Sequence, residues 1–91
     1  MQHANVRECL QSEQMFHIEC DRECNVRLMD DSNFESYAAG HTFRYFGGLC
    51  REGFPTTLKP PSSGCWNVVV TPVKAGETVT HNVRVVAATT F

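Results

Sequence analysis

Apolar and polar residues alternate in several short segments of this 91-residue chain, and turn-forming residues separate the segments. The clearest examples are residues 13–20, 24–29, 65–71 and 78–86. A period of two residues is typical of a strand that buries one face. A series of about six to eight such strands predicts an all-β fold. We expect a small antiparallel β-sandwich of jelly-roll type, with one short helix, in a single domain spanning residues 1–91.

The first two of these segments are separated by only three polar residues, Asp21-Arg22-Glu23. A connection this short between two alternating segments favours a β-hairpin. In that pairing Cys20 and Cys24 face each other next to the loop, and we interpret both as structural residues.

One segment lacks the alternation and predicts a helix over about residues 33–39. Ser32 and Glu35 have the spacing of a capping box at its beginning, and Gly40 suits the left-handed residue that ends many helices. We expect Phe34 to attach the helix to the sheet. The neighbouring aspartates lack the spacing of a calcium-binding loop, so we interpret them as part of a solvated turn.

The next segment, residues 41–46, is aromatic and β-prone, and Gly47-Gly48 is expected to end it in a turn. Its two faces are His41/Phe43/Tyr45 and Thr42/Arg44/Phe46. We expect one face to be buried in the core and the other to face solvent or a partner. Two further short strands are predicted at residues 49–51 and 56–59. The strand at residues 65–71 places Trp66 beside valines, which predicts a core residue there and a strand covered on both faces.

The sequence has five cysteines, an odd number, and begins at Met1 without a charged and then apolar leader. Secreted disulfide scaffolds have leaders and even counts, so we expect a cytoplasmic protein whose cysteines are reduced and packed as small apolar residues. Two alternatives for Cys20 and Cys24 remain open at this point. They are a zinc site, for which a second ligand pair is missing, and a disulfide between the two.

The charge of the chain limits the classes of partner that we expect for it. The net charge is −2 and the basic residues are scattered. Nucleic acids and anionic membrane surfaces attract clustered Lys and Arg, so neither is an expected partner. No run of apolar residues is long enough to span a membrane.

Several motifs between residues 24 and 86 resemble one known family. They are Asn25-Val26-Arg27-Leu28-Met29-Asp30, Ser32-Asn33-Phe34, Tyr37, Gly40, Arg44-Tyr45, Gly47-Gly48, and Ser63-Gly64 followed by Trp66 and a valine-rich strand. The family is the bacterial domain of unknown function 1883. The resemblance implies a small all-β domain with an accessory or recognition role, sometimes joined to a Toll/interleukin-receptor-like domain. It implies no reaction and no site residues, and Cys65 stands where the family pattern has a histidine.

These observations favour a non-catalytic module that binds a protein partner or a second copy of itself. The candidate binding residues are His41, Arg44, Tyr45, Phe46, Gly47 and Gly48. A small-ligand module for carbohydrates or nucleotides is the alternative, because exposed aromatic side chains also stack on such ligands. A Cys/His-dependent enzyme is the third hypothesis, although no motif flanks any such pair. We expect no cofactor and no metal ion.

Overall fold

The computed structural model describes residues 4–74, 76 and 79–87 of the chain. Its elements are β1 (Ala4–Leu10), β2 (Gln14–Cys20), β3 (Cys24–Asp30), α1 (Asp31–Ala38), β4 (Phe46–Cys50), β5 (Thr56–Leu58), β6 (Gly64–Pro72) and β7 (His81–Ala87). They form two antiparallel sheets, with strand orders β1-β6-β3-β4 and β5-β2-β7. The predicted small all-β fold with one short helix is therefore confirmed. The predicted last strand began at residue 78, which lies outside the described residues.

The hairpin predicted between β2 and β3 is wrong, because the two strands belong to different sheets. β2 pairs with β5 and β7, whereas β3 pairs with β4 and β6. The connecting residues cross from one sheet to the other. Asp21 fixes this crossing: its N–H donates to the Thr80 carbonyl at 3.0 Å, and its Oδ1 accepts from the Thr80 N–H at 2.9 Å. A short polar loop suits a crossing as well as a hairpin, so alternation alone could not separate the two.

The core lies between the sheets. Phe16 and Ile18 of β2 pack there against valines and Leu28 of the facing sheet, and all are almost completely buried. The opposite face of β6 is buried too, since α1 packs across β3 and β6 and covers Val69 and Asn67. The prediction that this strand is covered on both faces is confirmed.

The helix begins earlier than predicted, and its N-cap is Asp30 rather than Ser32. Asp30 ends β3 in an extended conformation, and its Oδ1 accepts from the Asn33 N–H at 2.8 Å. An extended residue with an acceptor side chain is what a helix N-terminus needs. At the other end, Gly40 has φ of 78°, and the His41 N–H donates to the Ser36 carbonyl at 2.8 Å. Gly40 therefore ends the helix in a Schellman motif, as predicted.

Asp31 is not merely part of a solvated turn. Its carboxylate accepts two hydrogen bonds from the Arg7 guanidinium, at 3.0 and 2.8 Å, and a third from Asn67 Nδ2 at 2.8 Å. These bonds connect edge strand β1 and central strand β6 to the first turn of the helix. The hydrogen bonds from Arg7, and then the one from Asn67, lower the pKa of Asp31 to about 2.

The lowered pKa of Asp31 predicts an acid-sensitive contribution to stability. This contribution is complete above the ordinary aspartate pKa and is lost as the pH falls from about 4 to about 2, because protonation then becomes easier in the unfolded chain. We expect Asp31→Asn to flatten the pH dependence of the free energy of unfolding in this window, measured by urea titration. Arg7→Gln, which removes the partner instead of the acid, should flatten it too. An unchanged pH dependence in both variants would contradict the assignment.

The expectation that all five cysteines are reduced is wrong for two of them. Cys9 and Cys65 are directly opposite each other in the β1–β6 register and form a disulfide. Their separation of 56 residues gave no sequence signal, because the bond depends on a pairing of strands from opposite ends of the chain. The free cysteines of the described residues, Cys20, Cys24 and Cys50, are buried.

The glycine pair forms no turn but lies inside strand β4. Residues 41–45, predicted as a strand, are not in a sheet. They are fixed to the helix instead, because the Arg44 N–H donates to Asn33 Oδ1 at 2.7 Å. Glycines are unfavourable in most strands, which is why the pattern predicted a turn.

Candidate binding surface

The helix covers one face of the extended segment that precedes β4. The rings of Tyr37 and Phe43 meet edge to face with centroids 5.0 Å apart, and Phe43 is followed by Tyr45 at 5.7 Å. The Arg27 guanidinium lies 5.4 Å from the centroid of the Tyr45 ring. Phe43 is half-buried by these contacts, and Tyr45 remains 50% exposed. The prediction that one face of this segment enters the core is wrong, since Phe43 packs on the helix.

Phe46 is not covered by the helix, and 55% of its surface is exposed. It lies opposite Leu28 in the β3–β4 register, at the end of its sheet. Leu49, on the same strand, is 49% exposed. The predicted binding residues His41, Arg44, Gly47 and Gly48 are exposed as well. The structure thus brings the six candidates together on β4 and the segment leading into it.

A cleft of about 700 Å³ borders this strand. Four aromatic side chains line it, together with Asn33 and Arg44. The aromatic residues are Phe43, Tyr45, Phe46 and Trp66. Trp66 presents only a small part of its ring, because the residue is 7% exposed and its Nε1–H donates to the Ser62 carbonyl at 3.0 Å. Tyr45 and Phe46 are therefore the most exposed aromatic residues of the cleft.

β4 is an edge strand of its sheet. It pairs with β3 on one side, and its other side has no strand partner among the described residues. Charged side chains and prolines usually protect such edges. They lie within β1 (Arg7 and Glu8) and β7 (Arg84), whereas β5 and β4 have them only next to their ends, Pro55 and Lys59 for β5 and Arg51 for β4. The five residues of β4, Phe-Gly-Gly-Leu-Cys, include neither.

The two glycines of β4 serve different purposes. A Cβ on Gly47 would overlap the Val26 carbonyl oxygen of β3, so this glycine allows the two strands to approach. A Cβ on Gly48 would have no atom within 4 Å. Of these two predicted binding residues, Gly47 therefore makes room for β3 itself, whereas the space beside Gly48 is open.

A second cluster combines the three free cysteines. Their Sγ atoms all lie within 4.8 Å of one another, and the Cys20 and Cys24 Sγ atoms are 2.7 Å apart. The predicted proximity of Cys20 and Cys24 is thus observed, although it arises at a crossing between sheets. Sequence reasoning missed Cys50, because its approach depends on the register in which it faces Cys24.

Burial is the main reason why the pKa values of Cys20 and Cys24 are raised. Without a bound cation, a nucleophilic cysteine needs the opposite shift, since the thiolate is the reactive form. This cluster therefore offers little support for a Cys/His-dependent enzyme.

The comparison with protein families decides what this chain is related to. The family described as "Domain of unknown function (DUF1883)" matches residues 1–90. The chain belongs to this family. No curated protein matches this member of the DUF1883 family, and no solved structure does. The family description names no activity, so any role for the DUF1883 surface described above rests on its geometry. No helix among the described residues is long and apolar enough to cross a membrane.

Proposed function

We propose that this chain is a non-catalytic recognition module that binds an extended segment of a partner protein at the open edge of β4. The observation that supports this proposal is the combination of an edge strand that has no strand partner on one side, and in which Thr56 Oγ1 already donates to the Leu49 carbonyl at 3.4 Å, with exposed Phe46 and Leu49. In keeping with the resemblance, we expect the module to belong to a bacterial protein.

When an extended segment binds to a sheet edge as an additional strand, different groups provide its affinity and its specificity. The free main-chain N–H and C=O groups of an edge strand bind those of an incoming segment, whatever its sequence. Specificity then comes from alternate side chains of the segment that enter pockets beside the edge. The cleft at Tyr45 and Phe46 lies at the beginning of β4, so it offers such a pocket to one end of the segment, and its exposed aromatic rings suit an apolar or aromatic side chain.

Arg44 defines the charge that such a segment should carry. Arg44 lines the cleft together with Asp30, whose Oδ1 already accepts two hydrogen bonds from Asn33, and no ion pair of the Arg44 side chain is found within the described part of the chain. An acidic side chain in the incoming segment would offer a carboxylate to this guanidinium. We therefore expect the partner segment to combine alternating apolar residues with an acidic one.

Selection from a displayed library of random twelve-residue peptides tests this proposal. The enriched peptides should carry apolar residues at alternate positions and an acidic residue. Their affinity for Phe46→Lys should fall by about tenfold or more, because the charge blocks the edge and removes an aromatic contact. The measurement is isothermal titration calorimetry with the synthesised peptides.

Phe54→Lys is the matched control, since Phe54 is 72% exposed but lies outside β4. It should leave peptide binding unchanged. Peptides that bind Phe46→Lys as well as the unmodified chain would contradict the proposal. A dimer that forms through β4, detected by sedimentation, would identify the occupant as a second copy of the chain instead.

A small-ligand module is the second candidate, and the size of the cleft favours it. A volume of about 700 Å³ lies within the range of ligand pockets. The polar groups of the cleft favour a small ligand less, because the Asn33 side chain is already hydrogen-bonded within the chain. Its Nδ2 donates to Asp30 Oδ1 at 2.9 Å, and its Oδ1 accepts from the Arg44 N–H. Titration with nucleotides and oligosaccharides separates the candidates. Binding of one of these that is lost in Tyr45→Ala would favour the ligand module.

A further inference from the structure

The three buried cysteines lie together at one end of the sandwich interior, and they belong to three strands drawn from both sheets. Cys20 is the last residue of β2, Cys24 is the first residue of β3, and Cys50 is the last residue of β4. Cys24 and Cys50 are 0% exposed, and Cys20 is 9% exposed. The fold therefore gathers thiols that are far apart in sequence and that belong to different sheets.

We propose that Cys20, Cys24 and Cys50 bind one zinc ion, with His81 as the fourth ligand. Three thiolates and one imidazole are a common set for structural zinc, which is tetrahedral. Cys20 and Cys24 also have the C-x3-C spacing that zinc sites use for a ligand pair contributed by one loop.

The register of β2 and β7 brings the backbone of His81 next to Cys20, and a rotation of the His81 side chain has to bring a ring nitrogen within 4.8 Å of all three sulfurs. His81 is directly opposite Cys20, and opposite residues of an antiparallel pair point to the same face of the sheet. The next residues on that face of β7, Val83 and Val85, pack against the core. His17 is excluded, because it lies on the other face, where its Nε2 bonds to Glu19 Oε1 at 3.0 Å.

The distances between the sulfur atoms are close to those of a metal site. With zinc–sulfur bonds of about 2.3 Å, tetrahedral geometry puts pairs of sulfur atoms about 3.8 Å apart. The Cys20–Cys24 pair, now 2.7 Å apart, would have to open by about 1 Å, and all three sulfurs already lie within 4.8 Å. Small side-chain rotations within the rotamer wells produce shifts of this size without strand movement.

Packing alone gives a weaker account of these thiols. Outside the cluster, the Cys50 Sγ–H reaches only distant carbonyl oxygens, at 3.7 Å on Ile18 and 4.0 Å on Phe54, so its close polar neighbours are the thiols of Cys20 and Cys24. Most of the other core positions hold larger apolar side chains. An ion also has a route to the cluster, since Cys20 lines a surface depression of about 170 Å³ together with Arg51 and Phe54.

Cobalt and zinc titrations of the reduced, folded chain test this site. We expect one ion per chain by native mass spectrometry. Co²⁺ should produce the intense visible bands of a tetrahedral site and the near-ultraviolet absorption of thiolate ligands, and Zn²⁺ should abolish both. The double variant Cys9→Ser/Cys65→Ser is the control, because it removes the other two cysteines and should bind the same single ion.

Single substitutions identify the ligands. Cys50→Val, which keeps the site apolar and similar in volume, should abolish the tetrahedral cobalt spectrum. His81→Gln should keep the thiolate absorption but weaken the affinity for the metal ion. The loss should be at least about 10–100-fold, which is the usual effect of removing a residue that only hydrogen-bonds to a ligand. His17→Gln, on the opposite face of β2, should change neither.

Thiol protection keeps the proposal testable if a cysteine variant fails to fold. In the unmodified chain Zn²⁺ should slow alkylation of Cys20, Cys24 and Cys50 by iodoacetamide, and a chelator should restore the rate. The proposal is overturned if the reduced chain binds no ion, or if Cys50→Val binds cobalt unchanged. A Cys20–Cys24 disulfide in protein prepared without air would overturn it as well.

Discussion

Replacement of Trp66 by alanine is expected to remove about 3–5 kcal/mol from the free energy of unfolding. The ring is 7% exposed and belongs to the core cluster that fills the space between the sheets. Its loss leaves a cavity that the neighbouring strands cannot close, and the Ser62 carbonyl loses the hydrogen bond from Nε1. Since a domain of this size has a total stability of roughly 5–15 kcal/mol, the variant should lose a large part of its stability and should be close to unfolded if the total lies at the lower end of this range.

Trp66→Phe is the matched control for this prediction. It keeps most of the apolar volume but removes the donor to Ser62, so its cost should be smaller, about 1–2 kcal/mol. Urea denaturation followed by circular dichroism measures both variants. A fully stable Trp66→Ala protein that had lost peptide or ligand binding would instead make Trp66 part of the binding surface.

The strands themselves were predictable from the sequence, because their spacing and alternation are local properties. β2, β3 and β6 begin and end within about one or two residues of the predicted bounds, a scatter that strand assignments commonly show. Their partners were not predictable in the same way. The sequence pattern of a half-buried strand is the same whether the next strand in sequence pairs with it or faces it across the core. β2 and β3 are an example of the second case.

The same limit explains the two cysteine results. The Cys9–Cys65 disulfide and the position of Cys50 beside Cys24 both follow from registers between distant strands. Only the proximity of Cys20 and Cys24 is set locally, by the shortness of the loop between them. This proximity was predicted correctly although the hairpin that justified it does not form.

The candidate surface was located from the sequence, whereas its architecture was not. Aromatic residues next to a glycine pair pointed to this region, and Phe46 is exposed as that hypothesis required. The pattern misplaced the strand by assuming that glycines end it. Gly47 is inside the strand because β3 comes so close that any side chain would collide with its backbone, a constraint that depends on tertiary structure.

This close approach predicts a large difference between two otherwise similar substitutions. In Gly47→Ala the new Cβ would overlap the Val26 carbonyl oxygen and lie 3.1 Å from the Arg27 Cα. β3 cannot move away, because Val26 and Leu28 fix it in the core. β4 must therefore separate from β3 and lose main-chain hydrogen bonds, so we expect a loss of about 3 kcal/mol in the free energy of unfolding, near the upper end for single substitutions.

Gly48→Ala is the control and should change the free energy of unfolding by no more than about 0.5 kcal/mol. Its Cβ would have no atom within 4 Å, and its φ lies outside the left-handed region that favours glycine. Urea denaturation measures both variants, and amide hydrogen exchange shows whether β4 alone has opened in Gly47→Ala. Equal losses in the two variants would contradict this account of the β3–β4 contact.

The same pair bears on function, because Gly48→Ala leaves the fold intact while adding a methyl group to the edge strand. If partner binding falls in Gly48→Ala and stability does not, the open side of Gly48 is part of the docking surface.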